Sequence, residues 1–193
     1  MKKLILILMV APILFSSNTS DKGTWVIDAG SRLAIQGSTN VNKFTCKFDY
    51  YYGSDTLQYV RNHRTGKLNF SNNKMIIPVR SFDCGAKQIS NDFRKTLKSE
   101  TYPQLTIAFR SLENPFKQND CFIDGVVDIT LAGVTTTYTI RYLVNLDKNS
   151  VMLKGTRAVN FSDFGLEAPT KLQGLIKVDK VLNVEFNLVL KEV

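Results

Sequence analysis

Few side chains in this 193-residue chain could support catalysis or bind a metal. The only histidine, His63, lies in a polar segment with Arg61 and Arg64. A Ser-His-Asp triad would have to use it, and the chain has no Gly-x-Ser-x-Gly motif. The cysteines lack the Cys-x-x-Cys spacing of structural zinc, and no Gly-rich phosphate loop is present. We therefore predict a solvated histidine, no catalytic residue and no metal site.

Asp163, Phe164 and Gly165 spell the metal-binding tripeptide of protein kinases. The chain has none of the other kinase motifs, so this interpretation is rejected. Paired carboxylates of a glycoside hydrolase stay an alternative, because Asp and Glu occur on many loops, although no pair stands out.

The first 20 residues have the order of a secretory signal peptide. Lys2 and Lys3 precede an apolar run from Leu4 to Phe15, and a small polar segment follows. The run is shorter than the about 20 residues that span a bilayer. We predict a signal peptide over residues 1–20, cleaved between Ser16 and Ser20, and a soluble product in the periplasm or outside the cell.

Three cysteines, Cys46, Cys84 and Cys121, enter a compartment that permits disulfides. One bridge and one free thiol is the expected count. Cys46 with Cys84 is the favoured pair, because both lie at the ends of strand-like segments while Cys121 opens another. Three buried thiols are the alternative.

The distribution of charge indicates which partners the protein could bind. Removing Lys2 and Lys3 lowers the formal net charge from +8 to +6. The remaining basic residues are scattered among acidic ones, which argues against a nucleic-acid partner. Attraction to an anionic membrane surface is the expected use of this charge, and a homodimer is compatible with it.

Residues 21–193 form one predicted domain dominated by alternation of apolar and polar side chains. Apolar residues occupy every second position of several segments, which predicts half-buried antiparallel strands joined by short turns. The aligned apolar sets include Phe44, Cys46, Phe48, Tyr50 and Tyr52; Leu105, Ile107 and Phe109; Val134 through Val144; and Leu182 through Leu190. One segment, Ala86–Ser99, instead repeats Ile89, Phe93 and Leu97 every fourth residue, which predicts an amphipathic helix. Periodicity does not distinguish two stacked sheets from a barrel.

Several motifs in order resemble the YceI-like family, whose members are secreted lipocalin-like barrels with a central cavity. The matching segments are Trp25–Asp28, Gly37–Cys46, Ile77–Cys84, Leu97–Ser99, Tyr102–Phe109, Asp128–Thr135 and Phe161–Leu166. The resemblance implies an all-β, antiparallel lipocalin-like β-barrel of about eight strands with one amphipathic helix. Many members carry a histidine after the first strand, where this chain has Gly37–Asn40, so any ligand contact of that histidine is not carried over. Cys46 and Cys84 resemble a subgroup feature, which supports their pairing.

The resemblance also implies a function without catalysis or a cofactor. The barrel would hold a polyisoprenoid or fatty-acid-like lipid as a carrier or buffer. The expected cavity wall is Phe44, Phe48, Tyr50, Phe109, Tyr138, Ile140, Tyr142, Phe164 and Leu166. The helix residues Ile89, Phe93 and Leu97 would plug or flank the barrel, and Asn40, Asn42 and Arg94 would meet a head group.

Core packing is the alternative role for each wall residue. For the whole chain, the alternative function is a secreted binding or adhesion module with a filled core and a ligand on its surface.

Overall fold

A computed structural model describes residues 21–53, 55–71, 73–171 and 173–193. The predicted signal peptide lies outside these residues. The strands in chain order are β1 (Asp21–Ile27), β2 (Arg32–Ser38), β3 (Lys43–Phe48), β4 (Thr56–Arg61), β5 (Leu68–Phe70), β6 (Lys74–Pro78), β7 (Gln104–Leu112), β8 (Cys121–Leu131), β9 (Val134–Asp147), β10 (Ser150–Asn160), β11 (Thr170–Lys171), β12 (Ile176–Lys177) and β13 (Val181–Glu192). Helix α1 spans Lys87–Thr96, and 3₁₀ turns cover Val79–Ser81 and Phe161–Phe164.

Eight antiparallel strands close into a ring. Their order is β1, β4, β5, β7, β8, β9, β10 and β13, and β13 pairs back with β1 between Ile27 and Leu190. Closure removes the free sheet edges that an open sheet would expose. The predicted antiparallel barrel of about eight strands with one helix is therefore confirmed.

The two ends of the barrel are built differently. At one end, β1, β4 and β5 complete the wall between β13 and β7. At the other end, β13 pairs instead with β2, which carries β3, while β7 pairs with β6. Among the described residues no strand pairing joins β3 to β6, and an isolated bridge links Lys47 of β3 to Asp83, which follows β6 in the chain. The sheet is therefore interrupted at this end of the barrel. Helix α1 follows β6, one of the strands at this end, in the chain.

The alternating pattern predicts the interior well along the long strands. In β13, the side chains from Leu182 to Leu190 at every second position are buried, and in β9 the same holds from Tyr138 to Val144. Strand alternation places one face inward, and a single-residue slip would expose it. The apolar faces therefore fix the strand registers.

The expected continuation of the β3 pattern to Tyr50 and Tyr52 is wrong. Their side chains are 67% and 90% exposed, and their rings stack on each other with centroids 6.2 Å apart. Because β2 begins at Arg32, its pairing with β3 ends at Leu33 and Phe48, and the chain then leaves the sheet. Tyr51 turns inward in their place and donates a hydrogen bond to Asp55.

Helix α1 is shorter than the predicted Ala86–Ser99. It ends after Thr96, and Lys98 adopts a left-handed backbone with φ of 53°. The backbone N–H of Ser99 closes the last turn by donating to the carbonyl of Arg94 at 3.0 Å. Phe93 and Leu97 are buried and Ile89 packs against the core, so the predicted amphipathic face points into the barrel.

Candidate ligand-binding site

An apolar cavity of about 200 Å³, partly open to solvent, lies at the interrupted end of the barrel. We call it the mouth cavity. Strands, the helix, a 3₁₀ turn and the β11–β12 hairpin all contribute to its wall, chiefly through Phe44, Ile89, Phe93, Phe161, Ile176 and Leu182. Such a concave, mostly apolar lining is typical of sites that bind small molecules.

Behind the mouth cavity, the barrel interior is nearly filled. An inner void of about 40 Å³ lies among side chains that include Leu33, Leu105, Phe164 and Phe186. At the far end of the barrel, which we call the closed end, a void of about 10 Å³ lies among Leu57, Phe109, Tyr142, Leu153 and Leu190. Voids of about 10–15 Å³ hold at most one water, so the closed end is packed as a core.

Two side chains separate the mouth cavity from the inner void. Phe93 and Leu182 line both spaces. The ring of Phe93 packs against Phe82 with centroids 5.4 Å apart, which holds it in this partition. The two spaces become one only if Phe93 or Leu182 changes position.

A disulfide anchors the start of α1 across the sheet interruption. It joins Cys46 of β3 to Cys84, which precedes the helix. Beside it, Lys47 and Asp83 exchange backbone hydrogen bonds of 2.7 and 2.9 Å. Inside the helix, the Ser90 hydroxyl accepts a hydrogen bond from the backbone N–H of Cys84 at 3.1 Å. These contacts fix Ile89 and Phe93 over the opening.

Asp163 positions the 3₁₀ turn that supplies Phe161 to the mouth cavity and Phe164 to the inner void. Its carboxylate accepts hydrogen bonds from the Tyr138 hydroxyl at 2.8 Å and from the Asn160 backbone N–H at 3.1 Å. The Tyr138 hydrogen bond, followed by that from Asn160, holds the pKa of the Asp163 carboxyl below its usual value. Gly165 then ends the turn with a left-handed φ of 61°.

Two loops form the exposed rim of the mouth cavity. The Asn40 side chain ties them together, since it donates to the Leu175 carbonyl at 2.8 Å and accepts from the Lys177 backbone at 2.9 Å. Lys171 of the hairpin forms an ion pair with Asp92 of α1, with the charged atoms 2.5 Å apart. Val41 is 64% exposed and Leu175 is 74% exposed on this rim.

Comparison with known proteins identifies the family. A family model for the YceI-like domain matches residues 25–190. The chain belongs to the YceI-like family. No curated protein matches the chain significantly.

Solved structures share the fold of this YceI-like chain. BcnA from Burkholderia cenocepacia is 20% identical with a TM-score of 0.65, and the match covers 84% of this chain and 98% of BcnA. A polyisoprenoid-binding domain from Saccharophagus degradans, implicated in plant cell wall breakdown, is 18% identical with a TM-score of 0.63, covering 88% and 98%. The YceI protein of Campylobacter jejuni is 14% identical with a TM-score of 0.53, covering 71% and 80%. At these identities the likeness establishes the fold alone.

The residues expected to form the cavity wall are distributed over the whole YceI-like barrel. Phe44 lines the mouth cavity, Phe164 the inner void, and Phe109 and Tyr142 the closed end. Four others are buried in the core without lining these spaces, namely Phe48, Tyr138, Ile140 and Leu166. Tyr50 is exposed outside the barrel, so its assignment to the wall is corrected for the reason given for β3.

The residues expected to meet a head group, and the helix residues expected to flank the barrel, are also distributed over different parts of the molecule. Ile89 and Phe93 line the mouth cavity, as does Asn42, while Asn40 organises the rim. Arg94 faces a different pocket on the outer side of α1. Sequence reasoning missed Val41, Phe161, Ile176 and Val178 as lining residues. β11 and β12 have two residues each, which is too short for a periodic pattern to show.

Other chemistry is sparse in the part of the chain that the structure describes. No group of His, Cys, Asp and Glu side chains there is arranged to hold a metal ion. None of its helices has the length and apolar character needed to cross a membrane. Cys121, at the start of β8, is a partly exposed free thiol.

Proposed function

We propose that this YceI-like protein binds the hydrocarbon chain of a lipid in the mouth cavity and acts as a carrier or buffer for it. The observation that carries the proposal is an apolar, partly open cavity walled by Phe44, Ile89, Phe93, Phe161 and Leu182. A relative described as a polyisoprenoid-binding domain supports the ligand class. The ligand proposed is therefore a polyisoprenoid or a fatty-acid-like chain.

The size of the mouth cavity limits how the chain is held. Its volume of about 200 Å³ lies below the about 300–1,000 Å³ typical of small-molecule pockets. A long chain therefore needs the inner void and further space beside it, which requires Phe93 or Leu182 to change position. We infer that the chain enters beside α1 and that Phe93 is the side chain that its tip displaces.

The energetics favour exchange over permanent storage. Each buried methylene is worth about 0.8 kcal/mol relative to water, but a bilayer offers the same burial. The transfer from membrane to cavity is then close to neutral. Selectivity must come from the shape of the mouth cavity and from polar groups at its edge, such as Asn42.

Exchange with a bilayer needs a surface that meets the membrane, and the rim is suited to this. Val41 and Leu175 present exposed apolar side chains there, and Lys43 and Lys177 lie exposed close to them in the chain. Basic side chains near an anionic membrane contribute about 1 kcal/mol each. The rim would therefore contact an anionic membrane while the lipid moves.

We place this activity outside the cytoplasm, after removal of residues 1–20. The Cys46–Cys84 disulfide supports this location, because such bonds persist in oxidising compartments. The proposed role is binding, without a catalytic step.

Native mass spectrometry of the chain purified without detergent tests the proposal, with organic extraction to identify any bound mass. A stoichiometric apolar adduct is expected. A clean protein mass, unchanged after incubation with isoprenoids and fatty acids, would contradict it. That result would favour the alternative function, a surface-binding module with a filled core. The small voids of about 40 and 10 Å³ would then be packing gaps in that core.

A further inference from the structure

A second pocket lies on the outer side of α1. It has a volume of about 620 Å³, and the helix presents Asn91, Arg94 and Lys95 to it. The mouth cavity instead receives Ile89, Asp92, Phe93 and Thr96. At 3.6 residues per turn, positions two apart differ by about 200° around the helix axis, so the two sets lie on opposite faces. We call this second space the outer pocket.

The outer pocket is strongly basic. Arg80, Arg94, Lys95 and Lys98 line it, with Glu100 as the single carboxylate in its wall. In the described ranges none of these four cations forms an ion pair; the ion pairs found there involve other residues. The negative end of the helix dipole amounts to about half a charge, which balances only a small part of the excess.

Arg94 is held in place by one hydrogen bond and has one buried donor without an acceptor in the described part of the chain. Its Nη2 donates to the carbonyl of Arg80 at 3.1 Å, which holds the guanidinium against the 3₁₀ turn before α1. Its Nε is buried and has no hydrogen-bond acceptor among the described residues. A guanidinium can only donate, so a buried Nε without an acceptor is costly. Because this Nε is buried, an anion in the outer pocket would be bound by the remaining guanidinium N–H groups of Arg94.

We propose that the outer pocket binds a phosphate or pyrophosphate group. Two guanidinium groups and two ammonium groups match the charge and the several acceptor oxygens of such an anion. Ser99 and Thr101 also line the pocket and add neutral donors. The same group is carried by free anions and by phospholipid head groups. This site does not rest on lipid binding in the mouth cavity, because α1 separates the two.

The test is titration calorimetry of the full chain with sodium pyrophosphate and sodium phosphate at low ionic strength. In parallel, flotation measures binding to phosphatidylcholine vesicles with and without phosphatidylglycerol. The variants are Arg94→Gln, Arg94→Lys and Arg80→Gln, the last at an exposed position that should not disturb folding. A double variant, Lys117→Gln with Lys148→Gln, removes two exposed charges elsewhere and serves as the control.

Saturable binding of pyrophosphate is expected, weakened about tenfold by Arg94→Gln, the loss of one charge-assisted hydrogen bond. The affinity of Arg94→Lys for pyrophosphate should lie between those of the unmodified chain and Arg94→Gln. The affinity of the control should stay within about twofold of that of the unmodified chain. If only anionic vesicles bind, and Arg94→Gln and Arg80→Gln abolish that binding, the source is a lipid head group. Absence of both kinds of binding overturns the proposal, and so does an equal loss in the control, because that would indicate diffuse attraction.

Discussion

The mouth end and the closed end of the barrel share strands but differ in how the wall is completed. At the closed end, β1, β4 and β5 continue the ring, and Trp25 packs against Tyr59 and Phe70 with ring centroids 4.8 and 6.1 Å away. At the mouth end the sheet is interrupted between β3 and β6, and a disulfide, α1 and loops cover the opening. The mouth cavity therefore lies where hydrogen-bonded strands do not complete the wall.

The largest effect on stability should come from the closed end. Trp25→Ala removes a side chain that is 1% exposed, and we expect it to lower the free energy of unfolding by about 3–5 kcal/mol. Phe44→Ala, the matched change at the mouth, removes a partly buried ring and should cost about 1–2 kcal/mol. Chemical denaturation measures both. Equal losses would break the distinction between the two ends.

The disulfide should rank next. Replacing both Cys46 and Cys84 by Ser frees a link between residues 38 apart in sequence. We expect the free energy of unfolding to fall by about 3–4 kcal/mol. Hydrogen exchange should accelerate in α1 before it does in β1 and β13. Uniform acceleration across the barrel would show that the bridge stabilises more than the mouth.

A bulky side chain in the mouth cavity should block ligand. Thr96→Trp adds an indole to the wall facing the cavity, and Asn91→Trp places the same group on the outer face of α1. Affinity for a fluorescent fatty acid should fall at least about tenfold, or about 1.4 kcal/mol, in the first variant. The second should leave it within about twofold. Equal affinities would place the ligand elsewhere.

The smallest effect concerns pH. Because the native pKa of Asp163 is lowered, its contribution to stability is present above its unfolded pKa and is lost as pH falls through the native pKa. Asp163→Asn should cost about 1 kcal/mol at neutral pH and flatten the loss of stability below about pH 4. Thermal denaturation between neutral and acidic pH measures this. An unchanged acid profile would show that Asp163 does not hold the 3₁₀ turn.

Within the paired strands, sequence alone predicts which side chains face inward, but not where they lie along the barrel. Tyr138 and Tyr142 share a face of β9, yet at about 3.3 Å per residue they are about 13 Å apart along the strand. Tyr138 lies next to the 3₁₀ turn of the mouth, whereas Tyr142 lines the closed end. The position of a side chain along the barrel depends on the registers between strands that are distant in sequence. Local periodicity carries no information about these registers.

The mouth end is harder to predict from sequence than the closed end, because long-range contacts hold it together. Its rim and hairpin are held by contacts such as Asn40 with Leu175 and Lys177, across more than a hundred residues. Alternation assigns Tyr50 to the wrong side, because β3 loses its partner where β2 begins. Alternation of apolar and polar residues predicts the side chains inside the ring. The site is instead completed by the helix, loops and turns that lie where this alternation ends.

The central claim is that lipid occupies the mouth end while the closed end stays packed. Quenching of tryptophan fluorescence by a long-chain fatty acid brominated at mid-chain tests this directly. Trp25 is the only tryptophan and reports on the closed end, and the variant Phe44→Trp adds a reporter in the mouth cavity. We predict saturable quenching in Phe44→Trp and little in the unmodified chain. Strong quenching of Trp25, or no added quenching in Phe44→Trp, would contradict the account.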